Sequence, residues 1–479
     1  MMKRTICLCL CALLAVLPVC GCGYRGDARA EIENELESAR AENEAKAEAK
    51  TENEPKPEAG MPEQPGALVE SDTEEWEGAV PTPPEKVDLD PPKTDWDHIL
   101  SSEYNIYDNK LYYNLQAYKT IPSPSGVGNN TSGIVMHAYT DLATLESAYL
   151  CPDPLCAHDD LNVCFYIDKG SSSPFVIADN RTVYMSRMDY RGDGGRVWKA
   201  DLTNNTVRAV YTPMDHDLPG LDGPDNGVLY IYDSLKYTDE ESRTTKRIEY
   251  MIGLSVDTDK MLFKRELPED CRIHLIRNGK IWYSTTRELI RCDPDFGNPE
   301  TLYVFKGTGG ISAWYYDEYR DEFWFLVIKQ GYQSGKVMRI LSDGTVEEVI
   351  PSSKKLIYFQ LTNSKIYYSV YDPIKLGEHP FDPNGTVDVS GGKIYAAERE
   401  DPLGEARLVY DTRGEMFLCL PGVNTYAVFD DQLFFRPIQL VDDYDFITKK
   451  TYKVLSIAHD LTMYRIDLTT GEEEEFRFE

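Results

Sequence analysis

The residues best suited to chemistry are three cysteines and one histidine that fall within a single short segment, at Cys151, Cys156, His158 and Cys164. Thiolate and imidazole groups in a set of four suit tetrahedral zinc. Besides a redox or catalytic role, the alternative is one disulfide plus a free or distant partner, because the spacing departs from the common pair of cysteines two residues apart and thiols of exported proteins are often oxidised. In either case segment 151–164 is expected to act as a staple, because four protein ligands leave no open metal position for catalysis.

Three further cysteines have open assignments. Cys271 and Cys292 flank a predicted hairpin centred on Asn278-Gly279 and are close enough in sequence to be bridged. Cys419 is expected to be a buried apolar residue or the partner of the odd cysteine in segment 151–164. Sequence alone does not give the connectivity.

The chain shows no contiguous catalytic signature. It has no G-x-S-x-G, H-E-x-x-H or Walker sequence, and no carboxylate pair stands out among its 81 acidic residues. Segments 293–298 and 189–194 resemble fragments of calcium loops, but they lack the full set of oxygen ligands and are predicted to be hairpin turns. His137, His274 and His459 lie in strand contexts and are expected to be structural. We therefore predict no catalytic and no cofactor-binding residue.

The N-terminus has the pattern of an export signal. A charged start, Met1-Met-Lys-Arg4, precedes an apolar run from Ile6 to Val19 that is too short to span a bilayer. The following Val19-Cys20-Gly21-Cys22 resembles the bacterial lipobox. The resemblance implies a lipoprotein signal peptide over residues 1–21 and lipidation of Cys22, with Cys20 as the alternative and an ordinary secretory peptide as the remaining one. The mature protein would then be extracytoplasmic and anchored to the cell membrane by its lipid alone.

Residues 22–95 are predicted to be a disordered tether. Between Gly23 and Asp90 there are 20 acidic and 7 basic residues with almost no aromatic side chains, a composition that cannot bury enough surface to fold. The formal charge of the whole chain is −31. Nucleic acid and anionic membrane surfaces both require basic footprints, so neither is expected as a partner.

A short sequence motif recurs from residue 96 onwards: a polar turn followed by β-branched and aromatic residues. Its cleanest copies are Asn278-Gly-Lys-Ile-Trp-Tyr283 and Asn363-Ser-Lys-Ile-Tyr-Tyr368. Seven copies begin at residues 109, 180, 226, 278, 321, 363 and 431, mostly 42 to 52 residues apart. This interval fits the four-stranded blade of a β-propeller.

The module Tyr464-Arg-Ile-Asp-Leu-Thr-Thr-Gly471 resembles the strand and turn signature of TolB and quinoprotein-like propellers. With the lipobox and the tether, the chain is similar to propeller lipoproteins of Gram-positive bacteria. We therefore predict an all-β fold, with a propeller over residues 96–479 that has seven blades within a range of six to eight. Its Cys-rich insertion would be segment 151–164.

The resemblance and the lack of a catalytic signature lead us to expect a non-enzymatic lipoprotein that binds or scaffolds a protein or glycan through its propeller. The alternative is a carbohydrate-active or other hydrolytic propeller enzyme with residues scattered over several blades. Structural zinc is the one cofactor considered.

Overall fold

A computed structural model describes residues 89–102, 105–122, 129–153, 155–156, 164–169, 174–189, 194–215, 217–238, 243–307, 309–329, 334–372, 374–379, 382–389, 392–413, 419–420, 423–424, 426–436, 438–445, 450–457 and 462–477. Within these ranges the secondary structure is β, apart from one 3-10 turn over Ser352–Lys354. No helix in these ranges is long and apolar enough to cross a membrane. The predicted signal peptide, Cys22 and nearly all of the predicted tether lie outside the described residues.

The first sheet follows a short strand, β1 (Ile99–Ser101). In chain order its strands are β2 (Asn105–Tyr107), β3 (Lys110–Pro122), β4 (Asn129–Asp141), β5 (Ser147–Tyr149) and β6 (Ile167–Lys169). The first four form an antiparallel meander, and β6 pairs with β4 beyond β5. The Cys-rich segment connects β5 to β6.

The next three sheets are four-stranded antiparallel meanders. The second sheet contains β7 (Phe175–Ile177), β8 (Thr182–Asp189), β9 (Gly194–Asp201) and β10 (Thr206–Tyr211). The third contains β11 (Gly220–Asp225), β12 (Val228–Thr238), β13 (Thr245–Ser255) and β14 (Met261–Glu266). The fourth contains β15 (Arg272–Arg277), β16 (Lys280–Ser284), β17 (Glu288–Cys292) and β18 (Glu300–Val304).

A nine-stranded sheet follows, and it includes β1 at one edge. Its other strands are β19 (Gly309–Asp317), β20 (Glu322–Lys329), β21 (Gly335–Ile340), β22 (Val346–Ile350), β23 (Leu356–Leu361), β24 (Lys365–Val370), β27 (Lys393–Glu398) and β28 (Arg407–Asp411). Between β24 and β27 the chain forms a separate hairpin, β25 (Ile374–His379) with β26 (Asp382–Val389).

The C-terminal sheet has four strands. They are β31 (Tyr426–Phe429), β32 (Gln432–Phe435), β35 (Thr462–Asp467) and β36 (Glu473–Arg477). Two separate hairpins accompany it: β29 (Cys419–Leu420) with β30 (Val423–Asn424), and β33 (Ile438–Asp445) with β34 (Lys450–Ile457).

The recurring motif occupies the same place in every meander. Each of the seven copies lies between the first two strands of its meander, as the bounds above show. Asn278 and Gly279 have φ angles of 53° and 64°, and Asn109, Asn226 and Asp431 also have positive φ. Asn, Asp and Gly tolerate this left-handed conformation better than other residues, which explains why they recur at the tight turns.

The apolar strands after these turns are covered on both faces. Phe323, Trp324, Phe325 and Leu326 of β20 are all fully buried. Five clusters of buried side chains join successive sheets and the two halves of the nine-stranded sheet, and a sixth joins the C-terminal, first and second sheets. The order of packing therefore returns to its starting point, as it does in a propeller.

This arrangement confirms the predicted all-β, propeller-like fold. The predicted count of seven separate blades does not follow from the strand pairing, which gives five sheets of four or five strands and one curled sheet of nine. The difference arises at a single residue pair, Gly335 with Leu356, which links β21 to β23.

Candidate functional site

The Cys-rich segment brings three thiols together. The Sγ atoms of Cys151, Cys156 and Cys164 all lie within 4.8 Å of one another, beside the core of the first sheet. Four ligands at about 2.3 Å from a tetrahedral zinc ion would have sulfur atoms about 3.8 Å apart, so the cluster fits the size of such a site. His158, the predicted fourth ligand, lies outside the described residues.

Burial controls the charge of these thiols. Burial raises the pKa of Cys151 and of Cys164. The neighbouring Cys156 thiol also raises the pKa of Cys151, and the Cys151 thiol also raises that of Cys164. Metal ligation requires the thiolate form, so a bound cation would have to offset this cost.

The pair Cys271 and Cys292 comes together in the core between the third and fourth sheets. Both are free cysteines, so the bridge considered from the sequence is not formed. Burial raises the pKa of each thiol to about 12, which keeps both protonated and unreactive at neutral pH. The side chain of Cys419 lies outside the described residues.

The histidines behave as expected of structural residues. Nδ1 of His137 is 2.6 Å from Oδ1 of Asn114, and Nε2 of His274 is 2.8 Å from Oγ of Ser284. Burial lowers the pKa of His137 to about 4 and that of His274 to about 3. The His274 and Ser284 side chains are both buried, so this pair has no access to substrate. His459 lies outside the described residues.

Segment 293–298 is a hairpin turn, as predicted. Asp293 accepts hydrogen bonds from Lys280 Nζ (2.6 Å) and Asn298 Nδ2 (2.8 Å), and Asp295 accepts one from the Gly297 backbone (2.8 Å). Both carboxylates therefore already accept hydrogen bonds from protein groups. Residues 190–193 of segment 189–194 lie outside the described residues.

An open cleft of about 760 Å³ lies between the first sheet and the C-terminal sheet. The first sheet contributes the start of β3, the end of β4 and the turn that follows it, and the C-terminal sheet contributes β35 and β36. Its charged and aromatic lining residues include Lys110, Tyr139, Asp141, Glu146, Arg465, Glu474 and Glu475.

The strands hold most of these groups in place. Lys110 and Asp141 are opposite each other in the pairing of β3 with β4, and Lys110 Nζ lies 4.8 Å from the centre of the Tyr139 ring. Asp141 accepts hydrogen bonds from the backbone N–H groups of Ala143 (2.9 Å) and Thr144 (3.1 Å), so it shapes the turn.

Two carboxylates of the cleft differ in their surroundings. Glu474 of β36 is opposite Arg465 of β35 and accepts a hydrogen bond from its guanidinium group. Glu146 lies in the turn between β4 and β5, it is exposed, and its carboxylate has no polar partner among the described residues. The cleft therefore holds one carboxylate in a fixed ion pair and one that is available.

No sequence motif marks these cleft residues. The acidic run at residues 472–475, which includes Glu474 and Glu475, is exposed. Because the first and last units of a propeller are neighbours, an acidic closing strand could have been predicted to face the first sheet.

No protein-family model and no curated protein matches the sequence. Solved structures do resemble the fold. An acylaminoacyl peptidase in complex with Z-Gly-Gly-Phe-chloromethyl ketone has a TM-score of 0.46 and 11% identity, with 79% of this chain and 52% of that chain covered. The acylaminoacyl peptidase of Pyrococcus horikoshii has a TM-score of 0.45 and 11% identity, with 80% and 53% covered.

The β-propeller domain of the Trilobed protease from Pyrococcus furiosus, which is described as having an open velcro topology, has a TM-score of 0.43 and 9% identity. The match covers 79% of this chain and 98% of that domain. The chain spans about half the length of the two acylaminoacyl peptidases. At these identities the similarity is one of fold.

The expectation of a non-enzymatic binding or scaffolding protein is corrected by these comparisons. The similar structures include peptidases, which agree better with the alternative of a hydrolytic propeller enzyme. The error has a physical reason. A search for contiguous motifs cannot detect groups such as Glu146 and Glu474, which the fold brings to one cleft from opposite ends of the chain.

Proposed function

We propose that this protein is a hydrolytic propeller enzyme of the carbohydrate-active class, acting at the cleft between the first and C-terminal sheets. One observation carries this proposal: an open cleft of about 760 Å³ contains the available carboxylate of Glu146 and the Arg465-bound carboxylate of Glu474. Two carboxylates of unlike environment are the usual requirement for cleaving a glycosidic bond. The buried His274 and Ser284 pair offers no comparable route to acyl transfer.

The surroundings of the two carboxylates suggest their roles. Glu146 would donate a proton to the glycosidic oxygen as the bond from that oxygen to the anomeric carbon breaks. A water molecule would add to the anomeric carbon and transfer its proton to Glu474, whose orientation is fixed by Arg465. Lys110 and Tyr139 would contact the sugar hydroxyls and ring face.

The charge of the cleft narrows the substrate class. Four carboxylates, those of Asp141, Glu146, Glu474 and Glu475, face two cations, those of Lys110 and Arg465. The whole chain is also strongly acidic. Neutral or amino-bearing glycans are therefore favoured over uronic acid polymers, because like charges would be repelled.

The test is a screen of the full-length protein against neutral, amino-bearing and acidic polysaccharides, with release of new reducing ends as the readout. We expect release from a neutral or amino-bearing glycan. Glu473→Gln is the matched control, since Glu473 neighbours Glu474 on β36 but does not line the cleft. Binding of glycans without any product, across the screen, would contradict the proposal.

We also propose that the nine-stranded sheet is two blades, which gives seven in all. Strands β19–β22 and β23, β24, β27 and β28 each form a complete antiparallel meander, and only the Gly335 and Leu356 pair joins them. Side chains make the other contacts between the halves, such as the ion pairs of buried Arg399 with Asp317 and Glu322, each at 2.7 Å. An experimental structure with a continuous ladder from β21 to β23 would contradict this count.

We propose in addition that Cys151, Cys156 and Cys164, with His158, hold a structural zinc ion. The convergence of three Sγ atoms supports this assignment. Metal analysis of protein purified without chelators should find about one equivalent of zinc, and Cys164→Ser should lower it. A full complement of disulfides in non-reducing mass analysis would contradict the assignment.

The lipid anchor predicted from the sequence stays a proposal. Its support is the lipobox-like Val19-Cys20-Gly21-Cys22. Intact-mass analysis of the native protein should show a lipid-modified Cys22 at the mature N-terminus. An unmodified Cys22, or cleavage elsewhere, would contradict this proposal.

A further inference from the structure

The segment before the first sheet is well ordered by its own hydrogen bonds. Asp97 accepts hydrogen bonds from the backbone N–H groups of Lys93 (2.6 Å) and Thr94 (2.9 Å) and from the Thr94 hydroxyl (2.6 Å). These bonds fold residues 93–97 into a turn that leads directly into β1. We call residues 93–102 the clasp.

The clasp contacts both sheets that meet at the candidate cleft. The indole of Trp96 packs edge-on against Phe429 of the C-terminal sheet, with ring centres 5.7 Å apart. Its Nε1–H donates to Oδ1 of Asn109, in the first turn of the first sheet, at 3.3 Å. Trp96 is only 7% exposed, so one side chain is buried against both sheets.

The clasp is also fixed to the second half of the nine-stranded sheet. Nδ2 of Asn363 donates to the carbonyl oxygens of Thr94 (3.1 Å) and Asp97 (2.9 Å). The backbone N–H of Asn363 donates to the Asp95 carbonyl at 2.7 Å, and that of Ser364 donates to the Asp95 carboxylate at 2.8 Å. Four hydrogen bonds therefore join the clasp to one turn.

The end of the clasp adds a strand to the first half of the nine-stranded sheet. Strand β1 runs antiparallel to β19, with Ile99 opposite Asp317 and Ser101 opposite Tyr315. Ile99 is buried. Ten residues thus contact the first sheet, the C-terminal sheet and both halves of the nine-stranded sheet.

The clasp contacts both the first and the C-terminal sheet, and these two sheets share no strand among the residues described. Every described strand of the first sheet precedes residue 170, and every strand of the C-terminal sheet follows residue 425. The two sheets contact each other through the packing of Ala427, Phe429 and Phe434 against the first-sheet core, to which Trp96 belongs. In addition, the guanidinium group of Arg436, which follows β32, donates a hydrogen bond to the Asn114 carbonyl of β3 at 3.5 Å.

We infer that residues 93–102 close the ring in place of a shared strand, holding the first sheet against the neighbouring C-terminal sheet. Because the candidate cleft lies between these two sheets, the clasp also sets the separation of Glu146 from Glu474. That consequence for turnover rests on the proposed function, whereas the closure itself does not.

The experiment is hydrogen exchange followed by mass spectrometry on the full-length protein. Trp96→Ala should accelerate exchange in β3, β4, β31 and β32 by at least about tenfold, because opening of the contact exposes these strands. Trp282→Ala is the matched control, since it removes an equally buried indole between the fourth and nine-stranded sheets. It should accelerate exchange there and leave β3 and β31 unchanged.

Asn363→Ala provides a second variant in case Trp96→Ala fails to fold. It removes two hydrogen bonds to the clasp without altering the aromatic core, and roughly tenfold faster exchange in β3 and β31 is expected. Faster exchange confined to residues 93–102 in the folded variants would overturn the inference. Equal acceleration of β3 and β31 by Trp282→Ala would overturn it as well. Exchange needs no substrate, so this result is independent of whether the cleft hydrolyses a glycan.

Discussion

Truncation of Trp282 tests whether the apolar strand after a recurring turn packs in the core between neighbouring sheets. Trp282 is 3% exposed in β16 and stacks on Phe323 of β20, with ring centres 4.7 Å apart and an interplanar angle of 14°. It also contacts Tyr316 at 6.1 Å, and the Arg291 guanidinium lies 5.2 Å from its ring. One side chain therefore links the fourth sheet to the nine-stranded sheet.

The expected loss of unfolding free energy follows from the area that the Trp282 side chain buries. A tryptophan buries about 200 Å², and at about 25 cal/mol per Å² this corresponds to about 5 kcal/mol. Alanine retains the Cβ, and the site can partly collapse, so we expect Trp282→Ala to cost about 3–5 kcal/mol of unfolding free energy.

The assay is reversible urea unfolding followed by circular dichroism. Trp282→Phe is the matched control: it keeps a ring against Phe323 and should recover at least about half of the loss. A loss below about 1 kcal/mol for Trp282→Ala would place the ring at the surface and refute the packing argument.

Two further predictions concern stability. Between pH 6.5 and pH 5 the unfolded chain protonates His137 and His274 while the folded protein does not, because burial lowers their pKa values to about 4 and about 3. Stability is therefore lost as pH falls, by about 1.5 kcal/mol per histidine. His137→Gln should remove its share of this pH dependence in urea unfolding at the two pH values, and an unchanged difference would contradict the burial of that imidazole. Gly253→Ala should cost about 1–3 kcal/mol, because a Cβ there would lie 2.2 Å from Cε1 of the buried Phe263 ring. Gly310→Ala, which meets nothing within 4 Å, should change the thermal midpoint much less, and equal shifts would contradict the packing reason.

The local features of the fold were predictable from the sequence because they depend on neighbouring residues. Asn278-Gly279 has the composition of a turn with positive φ, and the strands after such turns are apolar enough to be covered on both faces. The convergence of Cys151, Cys156 and Cys164 was likewise predictable, because a short segment limits how far apart the thiols can lie.

The features that were missed depend on long-range pairing. Gly335 pairs with Leu356, β1 pairs with β19, and Glu146 and Glu474 line the same cleft. In each case no local sequence feature marks which distant parts of the chain come together. The same limitation applies to the candidate site. A cleft formed between the first and last sheets contains no contiguous motif for a sequence search to find.

The proposed hydrolytic role of the cleft is tested most directly by the rate of reducing-end release from the glycan selected in the screen, measured for full-length Glu146→Gln, Glu474→Gln and Glu473→Gln proteins. Loss of a general acid or base should lower kcat by at least about 100-fold for the first two variants. Glu473→Gln should keep the unaltered rate. Rates for Glu146→Gln and Glu474→Gln within about twofold of the unaltered protein would contradict the assignment of this cleft as the active site.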